Sequence, residues 1–379
     1  MKKNSTKYSL LIIVACSISF FAITQPPANT PPAFESAEVH KDNKITFRYF
    51  SVNAKEVKVS TQLASGTQPM TKGENGIWSV TLGPVKPDMY PYCFLVDGIQ
   101  VADPRNTSIF PNEGFQNSIV EITGSTPLVH TVQNVPHGTL SYRYYYSPEL
   151  GTRPVLIYTP PGYEADTKTK YPVLYLLHGT TDTEETWAKV GRANIILDNL
   201  IAAGKAMPML IVMPDANIGT GGFSAGGIES SLKLFEREMK EAIIPIVEKN
   251  YRTLNDGKSR AMAGLSLGGL HTLYTGINNT DKFSYLGVFS SGWIVPMMND
   301  LSDKQYAFLK DNATLVSNNL KLLWISEGGK EDIAWKNGQT MLGKFDEVKI
   351  KYTYSEYPGG HTWPVWRNNL YNFAQLLFK

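Results

Sequence analysis

Ser266 stands in the run GLSLGG at residues 264–269, with a glycine two positions away on each side. A serine hydroxyl is a weak nucleophile at neutral pH, so it needs a base beside it and a backbone that lifts it clear of the fold. A sharp strand-to-helix turn does the lifting, and its dihedrals tolerate no crowding Cβ on either flank. Gly264 and Gly268 meet that demand. The pattern is short enough to recur by chance, and residues 222–226 (GFSAG) repeat it around Ser224 inside the glycine-rich run GTGGFSAGG. No strand leads into that copy, which reads as a loop. Ser266 instead follows a buried-strand run at 260–263 and precedes a helix start at 269–276.

An elbow serine of this kind predicts its partners in the order serine, acid, histidine. Of the six histidines, His40, His130, His137 and His178 precede Ser266, and His271 lies five residues after it on the elbow helix. His361 remains, in YPGGHTW, where Gly359 and Gly360 let a loop carry the imidazole back over the serine. The acid belongs after an apolar strand between the two. Residues 321–325 supply the strand and SEGGKED (326–332) the loop, so Asp332 is the expected acid, with Glu331 and then Glu327 as alternatives.

The oxyanion of an acyl-transfer intermediate needs donors already in place. The backbone N–H of Leu267, at the helix start, is one candidate. The second is the N–H of Thr180, in LLHGT at 176–180, where His178 reads as a structural side chain. No H-E-x-x-H or phosphate-loop signature is present, so neither metal nor cofactor is expected.

The elements that must carry these groups are legible in the apolar patterning. Runs at 154–158, 172–177, 209–213, 260–263, 285–289, 321–325 and 349–354 read as strands, several continuously apolar, as strands buried on both faces do. Helical stretches alternate with them at 193–203 and 227–250, the latter with Leu232, Phe235, Met239, Ile243 and Val247 on one face. Residues 141–379 are therefore an α/β domain with a mainly parallel sheet, the α/β-hydrolase arrangement. The segment 295–312 is a candidate lid or pocket wall. Ahead of the domain, 125–140 reads as a linker with a Pro136-His137-Gly138 turn. Short alternating runs at 44–50, 55–61, 77–82, 91–98 and 117–122 make residues 34–124 an all-β antiparallel sandwich.

Residues 1–24 read as an export signal: Lys2, Lys3 and Lys7 precede an apolar run at 10–23 that no acidic residue interrupts. A proline-rich tether, QPPANTPPA, follows at 25–33. Residues 13–16 (IVAC) resemble a bacterial lipobox that would attach lipid at Cys16, while Phe20, Phe21 and Ile23 favour ordinary cleavage near Gln25. The expectation is an exported protein, periplasmic or secreted, or an outer-membrane lipoprotein if Cys16 is lipidated. The chain has 36 Lys and Arg against 34 Asp and Glu; without the three leader lysines 33 face 34. That balance leaves no basic surface for nucleic acid and suits a neutral substrate. The remaining cysteine, Cys93, has no partner for an internal disulfide and reads as a small buried hydrophobe.

The α/β domain resembles the family 1 carbohydrate esterases, which include feruloyl and acetyl xylan esterases, and more distantly the esterase D and enterochelin esterase group. The resemblance rests on YTPPGY (158–163), YPVLYLLHG (171–179), Glu184 with Trp187, residues 191–215, GLSLGG and GGHTWPVWR (359–367). It implies Ser266 as nucleophile, His361 as base and Asp332 as acid. The oxyanion loop departs from the family, reading HGTTDTEETW where many relatives have a run of glycines. The first domain resembles immunoglobulin-like modules of carbohydrate-binding family 48 through residues 78–82, Pro87-Asp88, Tyr90-Pro91-Tyr92, Val96-Asp97-Gly98 and Asp103-Pro104. A sugar-binding role would need Trp78, Tyr90 or Tyr92 exposed; otherwise the module packs and shapes one wall of the neighbouring site. Together the resemblances imply a feruloyl esterase acting on feruloylated or acetylated xylan oligosaccharides. Acetyl xylan esterase, siderophore esterase and a non-catalytic carbohydrate-binding protein are the alternatives. A feruloyl ring would want an aromatic slot, for which Trp293, Trp363 and Trp366 are near in sequence. Oligomeric state is not legible.

Overall fold

In the computed structural model the described residues are 33–218, 225–293 and 299–379. The leader, Cys16, nearly all of the tether, Ser224 and residues 295–298 of the lid candidate lie outside them.

Period-two alternation puts every second side chain of a strand on one face. In Ile45–Phe50 and Val57–Thr61 it places Ile45, Phe47, Val57 and Val59 wholly inside. Two antiparallel sheets face each other across this core. One runs Ala37–Val39, Ile45–Phe50, Ile77–Leu82, Thr71–Lys72; the other runs Gln68–Pro69, Val57–Thr61, Asp88–Val96, Asn117–Ile122, Ile109–Phe110. Trp78 and Tyr92 are core residues: the indole donates to the Ser51 carbonyl (3.0 Å) and the Tyr92 hydroxyl to Asp103 (2.6 Å). Neither offers a ring to a sugar. Cys93 is a buried free thiol.

The second sheet has eight strands in the order Thr139–Ser147, Gly151–Thr159, Leu210–Pro214, Val173–Leu177, Arg260–Leu265, Tyr285–Phe289, Leu322–Glu327, Thr353–Glu356. The first two form an antiparallel hairpin that joins Leu210–Pro214 antiparallel, and all later pairs are parallel. Two strands differ from expectation. Thr139–Ser147 starts within the span read as linker and forms the sheet edge. The last strand starts at Thr353 because Lys349 takes φ +59° and closes the preceding helix, with the Ile350 amide bonding back to Phe345 (3.0 Å).

Helices cover both faces. Leu232, Phe235, Met239, Ile243 and Val247 are all fully buried, as their spacing implies. The segment is broken into Ala225–Glu238, a π-turn Met239–Ile243 and Ile244–Asn250. Pro245 has no N–H to return to the preceding turn, and the wider π-turn absorbs that loss. Within the lid candidate, the described residues belong to the helix Asn299–Asn319, which buries Leu301, Leu309 and Val316 in the core.

Glu35–Lys379 pack as one unit. Met89, Phe110 and Ile119 of the sandwich share a core cluster with Trp363, Val365 and Trp366. Arg367, fully buried on the helix Trp363–Ala374, pairs with Asp88 and donates to the carbonyls of Met89 (3.2 Å) and Val190 (2.8 Å).

Candidate active site

Ser266 occupies the turn between Arg260–Leu265 and the helix Leu267–Asn278, at φ +53° and ψ −118°. A serine in that region is strained by about 1–3 kcal/mol and stays there only because the surroundings hold it. Its amide is tied to the Phe289 carbonyl of the next strand (2.9 Å). A Cβ on Gly264 would strike the Gly268 backbone, and one on Gly268 would meet the Leu177 carbonyl oxygen at 2.7 Å. Both glycines are therefore demanded by close approach of backbone to backbone.

The turn aims Ser266 into a cleft of about 560 Å³ that His361, Gly179 and Thr180 also line. His361 follows Gly359 and Gly360 in the loop after the last strand, and its ring stands edge-on to Trp366 with centroids 4.9 Å apart. Nδ1 lies 2.8 Å from Asp332 Oδ1; an ionised carboxylate only accepts, so Nδ1 carries the proton and Nε2 is left with its lone pair, chemically able to accept one. Ser266 Oγ and the imidazole open on the same cleft, with no direct hydrogen bond between them.

Asp332, not Glu331, is the carboxylate at the histidine. Asp332 is buried and also accepts the amides of Ala334 (2.9 Å) and Gly328 (3.0 Å), while Glu331 is exposed. Burial alone would raise the Asp332 carboxyl, but hydrogen bonds led by that from His361 outweigh it and hold it below its ordinary value. Glu327 is fully buried at the end of its strand with neither oxygen hydrogen-bonded to a described residue. Burial, then the charges of Asp332 and Glu356, push it up to about 8, so it is protonated at neutral pH.

Leu267 N–H sits at the positive end of the elbow helix. Neither it nor the Thr180 N–H bonds an acceptor among the described residues, so both are free to receive a developing oxyanion. His178 donates from Nδ1 to the Gly179 carbonyl and accepts the Ala216 amide at Nε2, both at 2.8 Å, which makes it a structural brace of this loop. His271 is fully buried against Phe235, its pKa pushed down to about 3 by burial and then by His178.

Trp363 and Trp366 line the cleft, packed edge to face with each other at 5.3 Å. Trp293 does not: it is buried on the other side of the sheet, against Phe345 at 5.3 Å. One wall comes from the sandwich, through Gln62, Pro91, Phe110, Asn112, Phe115 and Asn117, none of which the sequence singled out for the site. Asp182, behind the oxyanion loop, was also missed; it bonds Asn112 of the sandwich, and burial pushes its carboxyl up to about 6. A buried acid two residues beyond Thr180 is a signal visible only once the loop is seen to be covered.

A parallel sheet with an elbow serine, a later acid and a final histidine defines an α/β-hydrolase-type esterase scaffold. Residues 147–375 match the Esterase family, described as "Putative esterase", and the chain belongs to that family. It is 30% identical over 361 residues to the endo-1,4-beta-xylanase/feruloyl esterase of Xylanibacter ruminicola, covering 93% of this chain and 47% of that protein. Endo-1,4-beta-xylanase Y of Acetivibrio thermocellus is 30% identical over 146 residues, 36% of this chain and 12% of its own. The chain thus spans about half, or less, of the length of these curated relatives. Among solved structures, the CE1 ferulic acid esterase of Anaeromyces mucronatus aligns with a TM-score of 0.57 at 24% identity, over 68% of this chain and 98% of its own. The enterobactin esterase of Shigella flexneri aligns with a TM-score of 0.67 at 18% identity, over 89% and 94%. At these identities the structures establish a shared fold.

Proposed function

We propose that this protein is a serine carboxylic-ester hydrolase that releases ferulate or a related hydroxycinnamate from feruloylated xylan. The observation that carries the reading is His361, held by Asp332, opening with Ser266 on a cleft walled by Phe110, Phe115, Trp363 and Trp366. His361 Nε2 takes the Ser266 proton as Oγ attacks the ester carbonyl. The oxyanion forms between the amides of Leu267 and Thr180, and the tetrahedral intermediate collapses as His361 returns the proton to the departing sugar hydroxyl. Water then repeats the sequence on the acyl-enzyme, freeing the acid and Ser266. Asp332 fixes the ring's tautomer and stabilises the imidazolium formed in each half-reaction.

Flat aromatic walls favour a hydroxycinnamoyl over an acetyl group, which would leave most of about 560 Å³ unfilled. Among the described lining residues none is Lys or Arg, so they offer no fixed positive charge to an anionic iron complex. The export reading rests on residues 1–24, and lipidation on Cys16. Hydrolysis of methyl ferulate beside acetylated xylan tests the assignment: ferulate release supports the aromatic pocket, and acetate release alone moves the substrate to acetyl xylan.

A further inference from the structure

Thr181, next to the Thr180 amide, has φ +63°, a left-handed conformation in which a β-branched residue is an outlier. Strain of that kind persists where neighbours over-determine it. The neighbours here belong to the other domain. The Glu113 amide donates to the Thr181 carbonyl at 2.7 Å, and Asn112 Nδ2 donates to Asp182 Oδ1 at 2.9 Å. Asn112 and Asp182 form an isolated antiparallel bridge between sandwich and α/β domain. Asn112 is itself fixed, its Oδ1 accepting the amides of Gly114 (2.8 Å) and Phe115 (3.1 Å). A Cβ on Gly114 would stand 3.2–3.3 Å from the Thr181 side chain, so the fit is close. Asn217 completes the grip, accepting the Thr181 amide at 3.3 Å and donating to the Asp182 carbonyl at 2.6 Å and to Glu113 Oε2 at 3.2 Å. No contact in this set uses the Thr180 amide; all fix the turn on which it sits.

We propose that the sandwich loop 112–114 is a positioning element of the catalytic machinery. It holds the turn at 179–182 in the strained form that presents the Thr180 amide to the oxyanion, so the N-terminal domain acts on turnover as well as walling the cleft. A pre-organised donor is worth much of the barrier only if its surroundings keep it still. The proposal rests on the esterase reading and the oxyanion assignment above, and its test has one readout independent of both.

The test uses the full chain with Asn112→Ala, Gly114→Ala, Thr181→Gly and the double variant Asn112→Ala/Thr181→Gly, assayed on p-nitrophenyl acetate and methyl ferulate. Asn112→Ala is expected to lower kcat about ten-fold or more on both esters, with KM within about two-fold, because a transition-state donor is displaced. Glycine adopts the left-handed turn without strain, so in the Thr181→Gly background the same change should cost less than about three-fold. Equal losses in the two backgrounds, or a KM effect confined to methyl ferulate, would overturn the proposal in favour of simple substrate contact. Hydrogen exchange over 179–182 should speed up in Asn112→Ala whether or not the protein hydrolyses either ester. Unchanged protection there would overturn the clamp without touching the esterase reading. Should Asn112→Ala fail to fold, Gly114→Ala keeps the hydrogen bonds while crowding Thr181, and an unaltered kcat in that variant would likewise count against it.

Discussion

The Asp332 carboxylate receives the His361 Nδ1–H at 2.8 Å on one oxygen and the Gly328 amide at 3.0 Å on the other, so ring and carboxylate are held as a fixed pair. Asp332→Asn should lower kcat by about 10²- to 10⁴-fold by favouring the wrong imidazole tautomer. Glu331→Gln, at an exposed neighbour, should stay within about two-fold, since no contact with the ring is lost. Steady-state kinetics of both variants on one ester decides which carboxylate orients the base. Because the folded Asp332 titrates below its ordinary value, its contribution to stability is complete above about pH 4 and is lost as pH falls through the lower folded value.

Glu327 has the opposite sign. Its folded pKa of about 8 lies above the unfolded value, so the native state keeps a proton that the unfolded chain has lost. Between about pH 4 and pH 8 this costs stability at about 1.4 kcal/mol per pH unit. Glu327→Gln, which mimics the protonated acid, should match the wild type at pH 4.5 and exceed it in urea-unfolding midpoint at pH 8. A gap of equal size at both pH values would show that Glu327 does not titrate in this range.

Arg367 and Asp88 tie the last helix to the sandwich through a buried ion pair. Removing one charge strands the other, so Arg367→Met should destabilise by about 3–5 kcal/mol, and Asp88→Asn in addition should recover part of that loss. Urea unfolding of the single and double variants measures both. A near-zero effect of Arg367→Met would show that this ion pair does not hold the two domains together.

Phe110 reaches the cleft from the sandwich and stacks edge-on to Trp363 at 6.3 Å. Phe110→Ala should lower kcat/KM for methyl ferulate about ten-fold while p-nitrophenyl acetate changes less than about three-fold, since only the larger acyl group needs that wall. Parallel losses on both substrates would place Phe110 among the packing residues and weaken the case for an aromatic acyl slot.

The elbow was legible because its geometry is written in residue type: only glycine fits where Gly264 meets Gly268 and Gly268 meets the Leu177 carbonyl. The parallel strands were legible because strands covered on both faces are continuously apolar. Thr139–Ser147 was obscured because an edge strand needs no such run, and Tyr142, Tyr144 and Tyr146 point outward, exposed. Trp293 was misplaced because nearness in sequence to a strand end does not say to which face the ring turns; it turns to Phe345. The sandwich wall of the cleft was foreseen only in outline. Its residues Phe110 and Asn112 meet the site through contacts with Trp363 and Asp182, which no local pattern encodes.

The most direct test is hydrolysis of methyl ferulate by the wild type and by Ser266→Ala, followed by mass spectrometry of wild-type enzyme quenched early in turnover. The expected result is ferulate release that falls by at least about 10³-fold in the variant, with a feruloyl adduct trapped on the peptide containing Ser266. Undiminished release by Ser266→Ala, or an adduct on another residue, would contradict the assignment of Ser266 as the nucleophile.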